Sequence, residues 1–127
     1  MIAEERMPHK ILIVDDEPNI VISLEFLMKK EGFAVAVAGD GDAALAQLAA
    51  FGPDLVLLDV MMPKKSGYEV CQAIKTDPAQ AATKVVMLTA KGRESEVAKG
   101  LALGADAYVT KPFATKDLVA KIKSLLA

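Results

Sequence analysis

The sequence predicts an α/β fold: a parallel β-sheet covered by helices on both faces, in three layers. Three observations predict it. Apolar, β-branched runs alternate with amphipathic helical stretches five times. The 127 residues accommodate that alternation once and leave no room for a second domain of ordinary size. The third apolar run, Leu55-Val56-Leu57-Leu58, is continuous rather than alternating, the pattern of a strand buried on both sides. Strands joined by helical crossovers of this length run parallel with right-handed connections.

The first strand is Lys10–Val14. In the helix after it, Ile20, Leu24, Leu27 and Met28 recur at one-turn and two-turn spacing and mark one buried face, and Gly32 stands where a left-handed residue ends a helix. The second strand is Ala34–Ala38. Asp40 reads as the N-cap of a helix over 43–51, which Gly52-Pro53 stops. Residues 55–58 form the third strand, and a third helix carries Val70, Cys71 and Gln72. The fourth strand spans 85–89. The fourth helix, over 94–103, is rich in alanine but contains Gly100, which costs it about 1 kcal/mol against Ala, so it is expected to be the loosest. The fifth strand spans 107–110, and Leu118, Ile122 and Leu125 give the last helix its apolar face. Residues 1–9 are expected to form a flexible arm ahead of one domain over 10–127.

Composition narrows the function classes. With 53% hydrophobic and 25% charged residues the chain buries a core and is not disordered. A net charge of -2 and the absence of Trp leave neither an electrostatic footprint for DNA nor a base-stacking platform, so no direct nucleic-acid binding is expected. The single cysteine, Cys71, excludes an intrachain disulfide and a Cys-based zinc site, and His9 alone makes no histidine cluster; the chain reads as a reduced, cytoplasmic protein. Residues 1–6 lack a signal peptide's apolar region, and Asp59 interrupts the longest near-apolar stretch, 55–63, so no membrane insertion is expected.

In open parallel sheets, ligands bind beyond the carboxyl ends of the strands. There the sequence places Asp15-Asp16-Glu17, Asp59, Thr89-Ala90 and Lys111-Pro112. Any one of these aspartates is equally well explained as a helix cap. Capping does not explain their convergence, because neighbouring carboxylates repel and raise one another's pKa unless a cation joins them. All-oxygen ligands with no convergent His or Cys suit Mg2+. With Asp15, Asp16 and Asp59 balanced by Lys111 and a divalent ion, the site nears neutrality and admits a phosphoryl group. The Asp59 carboxylate can then attack phosphorus to give an acyl phosphate, with Lys111 pairing first with Asp59 and then with the phosphoryl oxygens, and the Thr89 hydroxyl donating to one of them. No general base is needed, since a carboxylate is already deprotonated.

The runs Ile11-Leu12-Ile13-Val14-Asp15-Asp16-Glu17 and Asp54-Leu55-Val56-Leu57-Leu58-Asp59-Val60-Met61-Met62-Pro63, with Gly67, Thr89-Ala90 and Gly104-Ala105-Asp106-Ala107-Tyr108-Val109-Thr110-Lys111-Pro112-Phe113, resemble the receiver domain of bacterial two-component response regulators, the CheY-like superfamily. The likeness spans nearly the whole chain. It implies a flavodoxin-like (βα)5 sheet of order 2-1-3-4-5, with Asp59 accepting a phosphoryl group from a phosphohistidine of a sensor histidine kinase or a histidine phosphotransfer protein. It further implies Mg2+ held directly by Asp16, Asp59 and the Met61 carbonyl, with Asp15 acting largely through water. Thr89, Lys111 and the Ala90 backbone N–H would hold the phosphoryl group. On phosphorylation Thr89 would swing toward it and Tyr108 turn inward. Lys111-Pro112 matches a cis peptide of the family, tolerable because the second residue is proline. The surface of the fourth helix, fifth strand and fifth helix would bind a downstream protein or a second receiver. The implied role is a signalling module whose catalysis is confined to its own phosphorylation and dephosphorylation.

Two departures stand out. Pro63-Lys64-Lys65-Ser66-Gly67 is more basic than usual, which bears on kinase docking, and Met61 offers no side chain to align a hydrolytic water. A phosphohydrolase of the haloacid-dehalogenase type would need an acid where Met61 stands, and a scaffold without phosphorylation would be expected to lack Asp59, Lys111 or the acidic pair. Whether the chain acts alone or belongs to a longer regulator is open.

Other signals have plainer readings. Gly39-Asp40-Gly41-Asp42-Ala43-Ala44 matches a dinucleotide fingerprint formally, but Asp40 and Asp42 would repel a pyrophosphate, so it reads as a turn and cap. Cys71 reads as a small packing residue and His9 as solvated. Lys91, Arg93, Lys99, Lys116, Lys121 and Lys123 read as a solvated helical face, with a partner surface as the alternative.

Overall fold

The computed structural model describes residues 8–62, 65–90 and 94–127. Five strands, β1 (Lys10–Val14), β2 (Ala34–Ala38), β3 (Leu55–Asp59), β4 (Lys84–Ala90) and β5 (Ala107–Lys111), alternate with α1 (Pro18–Lys30), α2 (Gly41–Phe51), α3 (Gly67–Thr76), α4 (Glu94–Ala102) and α5 (Thr115–Leu126). A short 3-10 turn, Pro78–Gln80, precedes β4. All neighbouring strands are parallel, in the order β2-β1-β3-β4-β5 expected for a flavodoxin-like sheet.

Strand side chains alternate between faces, and here both faces are apolar. Leu12, Val14, Val56, Leu58 and Val85 pack against Ala44 and Leu48 of α2 and Val70 and Ile74 of α3. On the opposite face Ile11, Ile13, Leu55, Leu57, Val86 and Leu88 meet Leu24 and Met28 of α1 and Leu118 and Ile122 of α5. Cys71 is fully buried in the first of these cores, where a small apolar residue fits, and His9 is exposed. No described helix is long and apolar enough to cross a membrane.

The helix ends follow local chemistry. Asp40 caps α2 by accepting from the Ala43 N–H at 2.8 Å, so the helix begins at Gly41, two residues before its apolar pattern shows. The fingerprint glycines therefore belong to a cap. Gly32 and Gly52 adopt positive φ, 92° and 64°, at the ends of α1 and α2. Ser66 and Glu69 form a reciprocal capping box that fixes the start of α3.

Three strands extend further than the sequence pattern predicts. Asp59, Ala90 and Lys111 are not loop residues past their strands but the last residues within them, because the parallel ladder is made by backbone and continues whatever the side chain: Asp59 pairs in register with Leu88, and Ala90 with Lys111. The expected fourth helix stops at Ala102 rather than 103. Residues 1–7, most of the expected arm, lie outside the described residues.

Since Leu57 is fully buried on the central strand, Leu57→Ala should destabilise the fold by about 2–5 kcal/mol. Phe26→Ala on α1, where the ring is 71% exposed, should stay within about 0.5 kcal/mol. Urea unfolding of the two variants checks the contrast.

Candidate functional site

The carboxyl ends of the strands open into a cleft of about 340 Å3 lined by Asp16, Asp59, Met61, Thr89, Ala90 and Lys111, together with Glu17. Asp15 lies beneath it, essentially without solvent exposure. Its Oδ1 accepts the Glu17 backbone N–H at 2.9 Å and its Oδ2 accepts from Lys111 Nζ at 2.8 Å. Lys111 Nζ also stands 3.5 Å from Asp59 Oδ1 and 3.8 Å from Glu17 Oε1. The pairing expected between Lys111 and Asp59 is therefore present as an ion pair, but the hydrogen bond goes to Asp15. The physical reason is burial: Asp15 has no water to solvate its second oxygen, so it takes the ammonium.

One carboxylate oxygen from each of Asp15, Asp16 and Asp59 lies within 4.8 Å of the others, with Asp16 exposed and the other two buried. This all-oxygen set suits a hard divalent cation. Asp59 is correspondingly perturbed: burial and the Asp15 charge push its pKa from 3.8 to about 6, against the lowering effects of Lys111 and the Met61 backbone N–H. Burial alone would lower the Lys111 pKa, but the Asp15 hydrogen bond and the Asp59, Asp15 and Glu17 charges carry it upward, so the ammonium is retained.

Thr89 is buried at the end of β4, and among the described residues its Oγ1 is a buried side-chain polar atom with no hydrogen-bond partner. A donor left so beside a cleft is matched to an acceptor from outside the chain. The Lys111-Pro112 peptide is cis.

Behind Asp59 the chain is packed against Gly67, the first residue of α3. A Cβ there would collide with the Asp59 carbonyl oxygen and lie 2.8 Å from the Val60 Cα, while the Gly67 N–H donates to the Val60 carbonyl at 2.9 Å. Only glycine lets α3 begin this close to the end of β3.

The structure thus brings together Asp15, Asp16, Asp59, Met61, Thr89, Ala90 and Lys111. It does not bring Tyr108 into the cleft: the ring is 42% exposed on β5, beside Leu101, Thr110 and Lys121. Two residues that the sequence places near the site, Glu17 and Gly67, carry roles that the sequence does not assign them. Glu17 fixes Asp15 through its backbone N–H, and Gly67 backs Asp59; the signal for the second was a glycine between a polar loop and an amphipathic helix. Of the basic residues singled out, Lys99 lies 4.5 Å from the Tyr68 ring centroid and Lys123 pairs with Glu31 at 2.8 Å. Lys116 and Lys121 are exposed, and Lys91 and Arg93 lie outside the described residues, as do Pro63 and Lys64 of the basic loop.

Comparison with known proteins agrees with this geometry. The family model for the response regulator receiver domain matches residues 11–123. The sensory transduction protein RegX3 of Mycolicibacterium smegmatis is 45% identical over 116 residues, which cover 91% of this chain and 50% of that protein. The DNA-binding response regulator MtrA of the same organism is 43% identical over 122 residues, 96% of this chain and 52% of the relative. The chain spans about half the length of these curated relatives. Among solved structures, a response regulator from Chloroflexus aurantiacus, described as putative, superposes with a TM-score of 0.90 at 35% identity, covering 94% of this chain and 98% of that one.

The raised pKa of Asp59 means that the folded chain binds this proton more readily than the unfolded chain. Its contribution to stability is therefore fully present below about pH 4 and is lost as pH rises through about 6. In EDTA, Asp59→Asn should match the parent protein near pH 4 and exceed it by about 2–3 kcal/mol at pH 8. Urea midpoints at the two pH values test this.

Proposed function

As this chain belongs to the response regulator receiver domain family, we propose that residues 10–127 form a receiver that takes a phosphoryl group onto Asp59 from a phosphohistidine on a sensor histidine kinase or histidine phosphotransfer protein. The observation that supports it most directly is the convergence of Asp59, Lys111 and the partnerless Thr89 hydroxyl in one cleft.

Asp16, Asp59 and the Met61 carbonyl would hold Mg2+, with Asp15 reaching it through water. When bound, the ion neutralises phosphoryl oxygens and draws them toward the acceptor. An Asp59 carboxylate oxygen attacks phosphorus, the phosphorus–nitrogen bond of the donor breaks, and its electron pair stays on the imidazole, leaving an acyl phosphate. Lys111, already 3.5 Å from Asp59, donates to an oxygen of the new group. The Thr89 hydroxyl and the Ala90 backbone N–H supply two further donors from the end of β4. No base is required of the chain, and its catalysis is confined to its own phosphorylation and dephosphorylation.

The output reading follows from where the chemistry lies. Phosphorylation adds about -1.5 to -2 charge at the end of β4, and movement of Thr89 toward it is answered by Tyr108 on β5. The face of α4, β5 and α5 would then bind a downstream protein or a second receiver. We place the protein in the cytoplasm, with no nucleic acid bound directly by this domain and no membrane insertion. A phosphohydrolase is disfavoured because the Met61 side chain, 56% exposed at the cleft, has no acid to give a leaving group. A scaffold reading is disfavoured because Asp59, Lys111 and the acidic pair are all in place.

Incubation with acetyl phosphate and Mg2+ followed by intact-mass measurement tests the reading. A phosphoryl adduct should form on the parent protein and be absent from Asp59→Asn and from an EDTA control. Thr89→Ala should form it about tenfold more slowly or worse. An adduct on Asp59→Asn, or none on the parent, would sink the assignment.

A further inference from the structure

Among the charged side chains that line the cleft, Glu17 holds neither the metal nor the phosphoryl group. The carboxylate oxygens that gather within 4.8 Å of one another belong to Asp15, Asp16 and Asp59. The Glu17 backbone N–H serves Asp15, a duty that does not involve the side chain. Glu17 also occupies the N-cap of α1, yet its side chain makes no capping hydrogen bond. The carboxylate instead stands at the rim of the cleft, 3.8 Å from Lys111 Nζ and 64% exposed.

That pair is not needed to hold Lys111. The ammonium already donates to Asp15 at 2.8 Å and lies 3.5 Å from Asp59 Oδ1. A third, longer and mostly exposed ion pair adds little to stability. Its effect on an approaching anion is larger. Lys111 and one divalent ion balance Asp15, Asp16 and Asp59, and among the described residues no other cation lines the cleft. Glu17 therefore leaves the loaded cleft with one negative charge in excess, placed beside the ammonium that receives the phosphoryl oxygens.

We propose that the Glu17 side chain is a specificity-determining residue for the phosphoryl donor: its carboxylate repels free, doubly charged donors at the rim of the cleft and so favours a phosphoryl group presented by a protein. The proposal rests on the receiver reading of the site. A small donor such as an acyl phosphate enters by its charges alone, and its oxygens approach Lys111 past a like charge. A protein donor offsets the same repulsion with contacts made elsewhere on its surface. The repulsion is proportional to donor charge, so its logarithmic effect on rate is about twice as large for a doubly charged donor as for a singly charged one.

The test is the initial rate of adduct formation per unit of donor, at saturating Mg2+, with doubly charged acetyl phosphate and with zwitterionic, singly charged phosphoramidate. In both reactions an Asp59 oxygen bonds to phosphorus; the phosphorus–oxygen bond of the first donor breaks with its electron pair on acetate, and the phosphorus–nitrogen bond of the second with its pair on ammonia. Glu17→Gln keeps the backbone N–H that serves Asp15 and removes the charge. It should react about fourfold faster than the parent with acetyl phosphate and about twofold faster with phosphoramidate. Glu17→Lys should extend both gains, the larger again for acetyl phosphate. Glu25→Gln, which removes a carboxylate paired with Lys29 at 3.0 Å further along α1, should match the parent with both donors. A Glu17→Gln rate with acetyl phosphate equal to or below the parent's overturns the proposal. So does an equal gain with the two donors, which marks a displaced Lys111 and not a filter on charge, and so does the same gain in Glu25→Gln. A parent protein without any Mg2+-dependent adduct overturns the receiver reading and this inference together, whereas a competent parent beside an unaffected Glu17→Gln removes this inference alone.

Discussion

The organisation of the protein follows from burying two carboxylates, Asp15 and Asp59, at the ends of adjacent strands and answering them with one ammonium. A buried charge without a partner costs several kcal/mol, so Lys111 is a condition of the fold as much as a part of the site. Lys111 comes from β5, and Asp15 lies beyond β1 at the other side of β3 and β4. Its reach across the strand ends depends on the register of every intervening strand. A slip of one residue would turn each side chain to the opposite face and separate the three groups. The continuous apolar ladders of β1, β3 and β4, filled from both sides, hold that register.

The same constraint explains the loops. Asp59 is placed by β3, and Gly67 permits α3 to start against the Asp59 carbonyl. The Ser66–Glu69 capping box then satisfies the exposed helix end, so the start of α3 is fixed by hydrogen bonds. A rigid acceptor backbone allows an exposed residue such as Asp16 to complete a cluster otherwise built from buried groups.

Much of this was legible in the sequence because the information is local. Apolar runs ending in Asp, Thr or Lys announce both the strands and the edge that carries chemistry. A charged residue after an apolar run looks like a strand end, so the pattern stops short at Leu58 and Thr110, whereas a parallel ladder is made by backbone and continues through Asp59 and Lys111. Less local facts were hidden. That Lys111 prefers Asp15 to Asp59 depends on Asp15 being sealed from water and half-satisfied by the Glu17 N–H. That Gly67 is needed for contact and not for backbone freedom depends on the end of β3 packing against it.

Thr89 shows how such a site connects chemistry to shape. A buried hydroxyl without a partner costs about 1–3 kcal/mol, and an arrangement in which it donates to a phosphoryl oxygen recovers that amount only when the phosphoryl group is present. This is a difference in free energy between two arrangements, the quantity needed to shift their populations, and at about 1.4 kcal/mol per factor of ten it shifts them by about tenfold to a hundredfold. Tyr108 pairs in register with Met87, two residues before Thr89 on the neighbouring strand, and its ring stands in solvent. Under the proposed function, a movement at the end of β4 would pass to β5 along one pair of hydrogen-bonded strands, with the orphaned donor inside and the exposed ring outside as its two ends.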